Sequence, residues 1–148
     1  MHSVWSQLHS IIEGQKTDIQ QSDSMLNVYE EERQKDPTSV ATLKTEKEQL
    51  KKEYTTITNE RDKALAERKK VWNNDNNFVI RYDTAGIPLP KEYTDLKPAP
   101  KAEWNKWNSE YTKKKNELGK LSKKIEQKEK DIKTETKKHQ EYYTSLIN

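Results

Sequence analysis

Apolar side chains recur at alternating spacings of three and four along the last third of the chain. The stripe runs Trp104, Trp107, Tyr111, Lys114, Leu118, Leu121, Ile125, Lys128, Ile132, Glu135, His139, Tyr142, Leu146. With Trp104 as heptad position a, that position reads Trp, Tyr, Leu, Ile, Ile, His, Leu, and position d reads Trp, Lys, Leu, Lys, Glu, Tyr. A repeat of 3.5 residues holds one face of a helix against a partner over many turns. The pattern predicts a helix over 101–147, about 47 residues or roughly 70 Å long, that requires a partner helix.

Residues 3–35 show the same signature. Trp5, Leu8, Ile12, Gln15, Ile19, Ser22, Leu26, Tyr29 and Arg33 form the seam, and Val4, Ile11 and Met25 widen it. A widened face implies contact with more than one neighbour. Residues 37–72 continue with d positions Leu43, Leu50, Ile57, Ala64 and Val71 against mixed a positions Val40, Lys47, Tyr54, Arg61 and Arg68. The long stems at a must lie along the seam with their charges in water. Between the two segments stands Asp36-Pro37, a good helix start because proline's missing N–H would be unpaired at the first helical position. The heptad phase nevertheless carries through: Arg33 at a, Asp36 at d, Val40 at a, Leu43 at d. Two arrangements follow. Either one long helix kinks at Pro37, or the first segment folds back as a third helix of a bundle.

Residues 73–100 abandon the pattern. Five consecutive Asn or Asp residues open the segment, Phe78-Val79-Ile80-Arg81-Tyr82 is the one β-like run, and Gly86, Pro88, Pro90, Pro98 and Pro100 follow. That density of turn residues excludes a helix. The segment is too apolar for a free linker, so it is expected to fold as an irregular cap on the helix ends. If 37–72 and 101–147 form an antiparallel hairpin, Trp72 approaches Trp104 and Trp107, roofed by Phe78 and Tyr82. Such an aromatic cluster serves either as a structural plug or as an exposed docking tip. The last ten or so residues of the final helix outrun 37–72 and need cover from 3–35.

Composition supports a thin architecture. Only 30% of residues are hydrophobic while 36% are charged, so the chain cannot fill a thick core. A helical seam needs only about two apolar residues in seven. The expected fold is therefore all-α: an elongated antiparallel coiled-coil hairpin with an additional N-terminal helix and an irregular tip, spanning 1–148 as a single domain. Absence of cysteine excludes a disulfide framework and thiolate chemistry. No apolar run reaches the roughly 18–20 residues of a membrane span, and the first residues lack signal-peptide features. A soluble protein, cytoplasmic or part of a virion, is expected. Charge is uneven: residues 1–36 carry 3 basic and 7 acidic side chains, residues 101–148 carry 13 and 8. Segments so biased are complementary if they lie side by side.

Chemistry is sparse. His2, His9 and His139 have no metal-site spacing, and His139 is expected as a neutral ring tucked at the seam. Asp75-Asn76-Asn77 lacks the glycine and glutamate of a calcium loop, and Gly14, Gly86 and Gly119 are isolated. No catalytic activity, metal or cofactor is expected. The Lys-rich last helix carries no Arg, and acids interleave with its lysines, which disfavours direct nucleic-acid readout. The expectation is a structural or protein–protein interaction protein, a subunit, adaptor or chaperone-like part of a larger assembly, associating with itself or other proteins. Alternatives are a nucleic-acid-associated protein or a small inhibitor of a cellular enzyme. The helix–tip–helix plan resembles, in outline alone, prefoldin-type hairpins, small secretion chaperones and virion coiled-coil subunits. Candidate interaction residues are Trp5, Leu8 and Ile12 in the first helix, Trp72, Phe78, Tyr82, Trp104 and Trp107 around the tip, and Tyr142 and Leu146 near the end.

Overall fold

A computed structural model describes residues 3–148; His2 lies outside the described residues. Three helices dominate: α1, Val4–Gln34; α2, Thr38–Asn73; and α3, Pro98–Ile147. The segment between α2 and α3 holds two single 3₁₀ turns and two isolated β-bridges, and the described residues form no strand. The all-α hairpin expected from the heptads is the fold observed. The chain divides into two compact units, Met1–Glu46 with Lys128–Asn148, and Lys47–Gln127.

In the first unit, α1 opens on Ser3, whose Oγ accepts the Ser6 N–H at 3.2 Å. This satisfies one of the four amides a helix start leaves unpaired. The helix stops at Gln34, and Lys35 is extended (φ −82°, ψ 148°). The residue before a proline is pushed out of the helical region by the ring, so the ladder cannot run through Asp36. It resumes at once, with the Ala41 N–H donating to the Pro37 carbonyl at 3.0 Å. The break bends the path without reversing it. Lys128 on α3 meets Glu46 on α2. Further along α3, His139 Nε2 donates to the Glu32 carbonyl at 2.6 Å, and the Tyr143 and Tyr29 rings lie 6.2 Å apart. Higher numbers on α3 therefore meet lower numbers on α2 and then on α1. Of the two arrangements the sequence allows, the kinked run of 70 residues is the one formed. His139 sits at the seam as expected and serves the break directly. Its ring and the Lys35 N–H share the Glu32 carbonyl, which the break leaves without its helical donor.

In the second unit, the later part of α2 pairs antiparallel with the start of α3. Ala64, Leu118 and Leu121 are buried there, and a small residue at 64 lets the backbones approach. Charged seam positions are resolved by pairing. Lys114 Nζ lies 2.7 Å from Glu60 and within 4 Å of Glu110 and Glu117. The hydrogen bond to Glu60, reinforced by the other carboxylates, raises the Lys114 pKa above the ordinary lysine value. Arg68 lays its guanidinium over the Tyr111 ring at 4.8 Å and donates to Asn108 at 2.8 Å, a cation–π contact that accommodates charge at an a position.

Two expectations need correction. The helix expected from 101 begins at Pro98. Both Pro98 and Pro100 fall in the first turn, where an N–H would have no helical acceptor, and the ladder starts with the Lys101 N–H on the Lys97 carbonyl at 2.9 Å. Near the end of α3 the covered face is His139, Tyr143 and Ile147, while Tyr142 and Leu146 are exposed. A helix turning at 3.6 residues drifts about 20° per heptad against a strict 3.5 repeat. After five heptads that drift has moved the seam by one residue.

Candidate functional site

Two apolar surfaces remain open, one in each unit. The first is α1. From Gln7 to Val28 every residue is exposed, and α1 buries no side chain. Trp5 is 71% exposed and Ile19 60%, with Leu8 and Ile12 on the same stripe between them. Cover begins at Tyr29, where Tyr143 arrives, and continues through Glu32 and Arg33, whose Nη1 donates to Thr144 at 3.3 Å. The Trp5 ring stacks on His9, one helical turn on, with centroids 5.2 Å apart; this is contact within one helix and leaves the outer ring face open.

The second surface is the tip of the second unit. Its base is a small core of Val71, Phe78 and Leu96, flanked by Trp72 and Trp104. Phe78 meets Trp72 edge-on at 5.1 Å, and Tyr93 packs on Trp104 at 5.2 Å. Ordered polar contacts fasten the loop to that base. Lys91 Nζ donates to the Trp72 carbonyl at 2.5 Å, and Asn77 Nδ2 donates to the Val71 carbonyl at 2.9 Å, so two carbonyls orphaned at the end of α2 are capped from the loop. Arg81 grips Asp95 with both arms of its guanidinium, at 2.7 and 3.1 Å. Asp95 also accepts the Glu92 N–H at 2.9 Å. Arg81 first, and the Glu92 N–H second, hold the Asp95 carboxyl below the ordinary carboxylate range. The Val79 N–H donates to the Asp95 carbonyl at 2.8 Å, and the Leu89 N–H to the Arg81 carbonyl at 2.7 Å.

Beyond Tyr82 the chain reverses around Asp83. Its Oδ1 accepts the N–H groups of Ala85 and Ile87, both at 2.9 Å. Gly86 takes φ +78°, the left-handed region a side chain disfavours. This frame holds Val79, Ile80, Tyr82 and Ile87 outward, each between 55% and 59% exposed. Beneath them is a cavity of about 240 Å³ lined by Phe78, Val79, Ile80, Pro88, Leu89 and the Arg81–Asp95 pair.

The structure thus separates residues the sequence groups together. Phe78 is buried and Trp72 and Trp104 are half-buried: they form the plug. Trp107 is half-buried further along α3, with Lys106 Nζ 5.0 Å from its ring centre. Tyr82 is exposed and does not roof the tryptophans. The outward tip residues Val79, Ile80, Ile87 and Leu89 do not stand out in the sequence as interaction residues, although apolarity in a turn-rich segment is the signal that could find them. On α1, Trp5, Leu8 and Ile12 are joined by Ile19 and Met25, which share the stripe.

No family model, curated protein or solved structure matches this chain. Among the described residues no helix is long and apolar enough to cross a membrane, and no group of three or more His, Asp or Glu side chains is placed to hold a metal ion.

Proposed function

We propose that this chain is a non-enzymatic interaction protein, acting as a structural subunit or adaptor that joins a larger assembly through helix-to-helix contact. The observation that carries this reading is the uncovered stripe of α1. Large apolar side chains at heptad spacing lie open over some twenty residues. Exposed apolar area of this extent marks a surface that works when covered. An isolated helix in water gains little stability of its own, so covering the stripe would also order the segment.

The tip is a second docking surface in this reading. Its backbone is fixed by the Asp83 turn and the Arg81–Asp95 pair before any partner arrives, which lowers the ordering cost of binding. The charged groups beside its cavity are engaged with one another, which suits a recognition surface better than a reactive one. Four of the thirteen lysines of α3 are similarly engaged: Lys114 and Lys128 with seam carboxylates, Lys137 and Lys138 with Glu141 and Glu135. That pattern favours a protein partner over nucleic acid.

The test compares the full chain with Ile12→Asp and with Ile80→Asp by sedimentation, and by titration against proteins captured from the source cells and then purified. Association, with itself or with a purified partner, that one of these variants abolishes supports the reading. A chain that stays monomeric and binds no purified protein through either surface overturns it. Binding to nucleic acid that falls steeply with salt and ignores both variants would also overturn it.

A further inference from the structure

The geometry points to a specific occupant for the tip: an extended peptide segment of another protein. It adds as a β-strand along the free edge of residues 78–82 and seats one large apolar side chain in the tip cavity. This inference rests on the interaction reading above and names the form of the partner.

Hydrogen bonding selects an extended backbone. Phe78 bridges Leu96 and Tyr82 bridges Pro88, both antiparallel. On the 78–82 side, odd-numbered residues alone make the bonds that hold these bridges. The Asn77 carbonyl accepts the Lys97 N–H at 2.9 Å, and the Val79 N–H donates to Asp95 at 2.8 Å. The Arg81 carbonyl accepts the Leu89 N–H at 2.7 Å, and the Asp83 N–H donates to Ile87 at 2.9 Å. Successive residues of an extended chain turn their N–H and C=O groups to opposite edges. The groups of Ile80 and Tyr82 therefore face the other edge, and no described residue bonds to them. Both residues are exposed. An incoming antiparallel backbone can exchange a pair of hydrogen bonds with each. A helix cannot, because its residues bond to one another.

The two edges of the tip are protected unequally. Edges that must stay unpaired are blunted by proline, lysine or a bulge. The outer edge of the 87–90 run is blunted in this way, because Pro88 and Pro90 have no N–H to offer there. The 78–82 edge contains neither proline nor lysine. Its one charge, Arg81, is taken up by Asp95 and Glu92. One side of the tip is thus closed to pairing and the other is left able to pair.

The cavity selects the side chain. It borders this edge, since Val79 and Ile80 belong to its lining. Its volume of about 240 Å³ falls below the roughly 300–1,000 Å³ of small-molecule sites and suits one large aliphatic or aromatic side chain. Charges at its rim are already matched, Arg81 with Asp95 at 2.7 Å and Lys91 with Asp75 at 3.2 Å. An uncharged side chain is therefore the one it accepts. In strand addition the main-chain bonds give affinity, and a pocket of this kind gives specificity.

The test offers the full chain a displayed library of random linear nonapeptides. Selected peptides are expected to share a large apolar residue and to slow amide exchange at Ile80 and Tyr82 when bound. Methylating single backbone nitrogens of a selected peptide is expected to weaken binding at least about tenfold at every second central position and little between them, because alternate amides face the edge. Ile80→Pro removes an N–H that the fold does not use and is expected to abolish binding while the fluorescence of Trp72 and Trp104 stays unchanged. Should the proline disturb that fluorescence, the methylation scan decides, since it leaves the protein unaltered. A scan without alternation, unchanged exchange at Ile80, or failure to select any peptide overturns the inference. Self-association of the wild type that Ile80→Pro abolishes gives the edge to a second copy and overturns it as well. In each of these cases, loss of binding to a purified partner by Ile12→Asp would leave the broader reading standing.

Discussion

The covered seam of the second unit and the bare seam of α1 carry the same heptad signature and have opposite fates. In the second unit the seam positions include Lys47, Arg61, Arg68 and Lys114, yet the stripe is covered except at Tyr54. Its cations are disposed of locally, Lys114 among three glutamates and Arg68 over an aromatic ring. On α1 the a positions from Trp5 to Leu26 are all apolar, yet the stripe is open. Apolarity therefore does not decide which seam closes within a chain. Among the described residues, the contacts of α3 with α1 reach Tyr29, where Tyr143 packs. The purer seam is the one no described residue covers, and the mixed one is closed by side chains that carry their own counter-charges.

Substitutions on the two seams should separate these roles, most strongly in the buried one. Leu118→Ala is expected to lower the unfolding free energy by about 2–5 kcal/mol in a urea titration, as cavity formation does. Ile19→Ala, measured on dilute chain, is expected to stay within about 0.5 kcal/mol. Equal losses would show that α1 is covered within the chain after all and would break the comparison.

The tip offers the next contrast, because an ion pair joins a small apolar core in fixing it. The folded-state pKa of Asp95 lies below the unfolded carboxylate value of about 3.9. Its contribution is thus present above that value and lost as pH falls through the lower folded one. The fluorescence of Trp72 and Trp104 should report a tip transition on acidification, before α1 helicity changes. Asp95→Asn should loosen the tip at neutral pH and remove most of that acid dependence. An unchanged acid profile in the variant would assign the tip's stability elsewhere.

Gly14 bears on the bare seam alone. A Cβ added there meets nothing within 4 Å, so Gly14→Ala should stabilise α1 by up to about 1 kcal/mol. Slower amide exchange confined to residues near 14 would confirm it, while a global rise in stability would show that α1 is coupled to the rest. The smallest effect belongs to Lys114. Its raised pKa means that its contribution is present below about 10.4 and is lost as pH climbs through the folded value. Lys114→Gln should cost little alone, and a double-mutant cycle with Glu60→Gln should show positive coupling that salt diminishes.

Much of this arrangement was legible in the residues. Heptads located all three helices and the need of α3 for cover beyond 37–72, and the turn-rich run located the tip. The kink and the third-helix arrangement were not separable, because phase preserved across Pro37 suits a bend and also arises by chance about once in seven. The tip's frame was hidden for a different reason. Arg81 and Asp95 are fourteen residues apart, and Lys91 reaches back nineteen to the Trp72 carbonyl, across irregular backbone that has no period to read. Tyr142 and Leu146 were misplaced because a strict seven-residue count ignores the drift that accumulates along so long a helix.

Because the break at Lys35–Pro37 keeps both segments in phase, it acts as a rotational setting. One alanine inserted within α1 after Val28 would swing the Trp5–Leu26 face by about 100° about the helix axis, away from the line that Tyr143 begins. Seven inserted residues would bring it back to within about 20°. Association that vanishes with the first insertion and returns with the second would show that azimuth, and not mere greasiness, is what the chain presents to its surroundings.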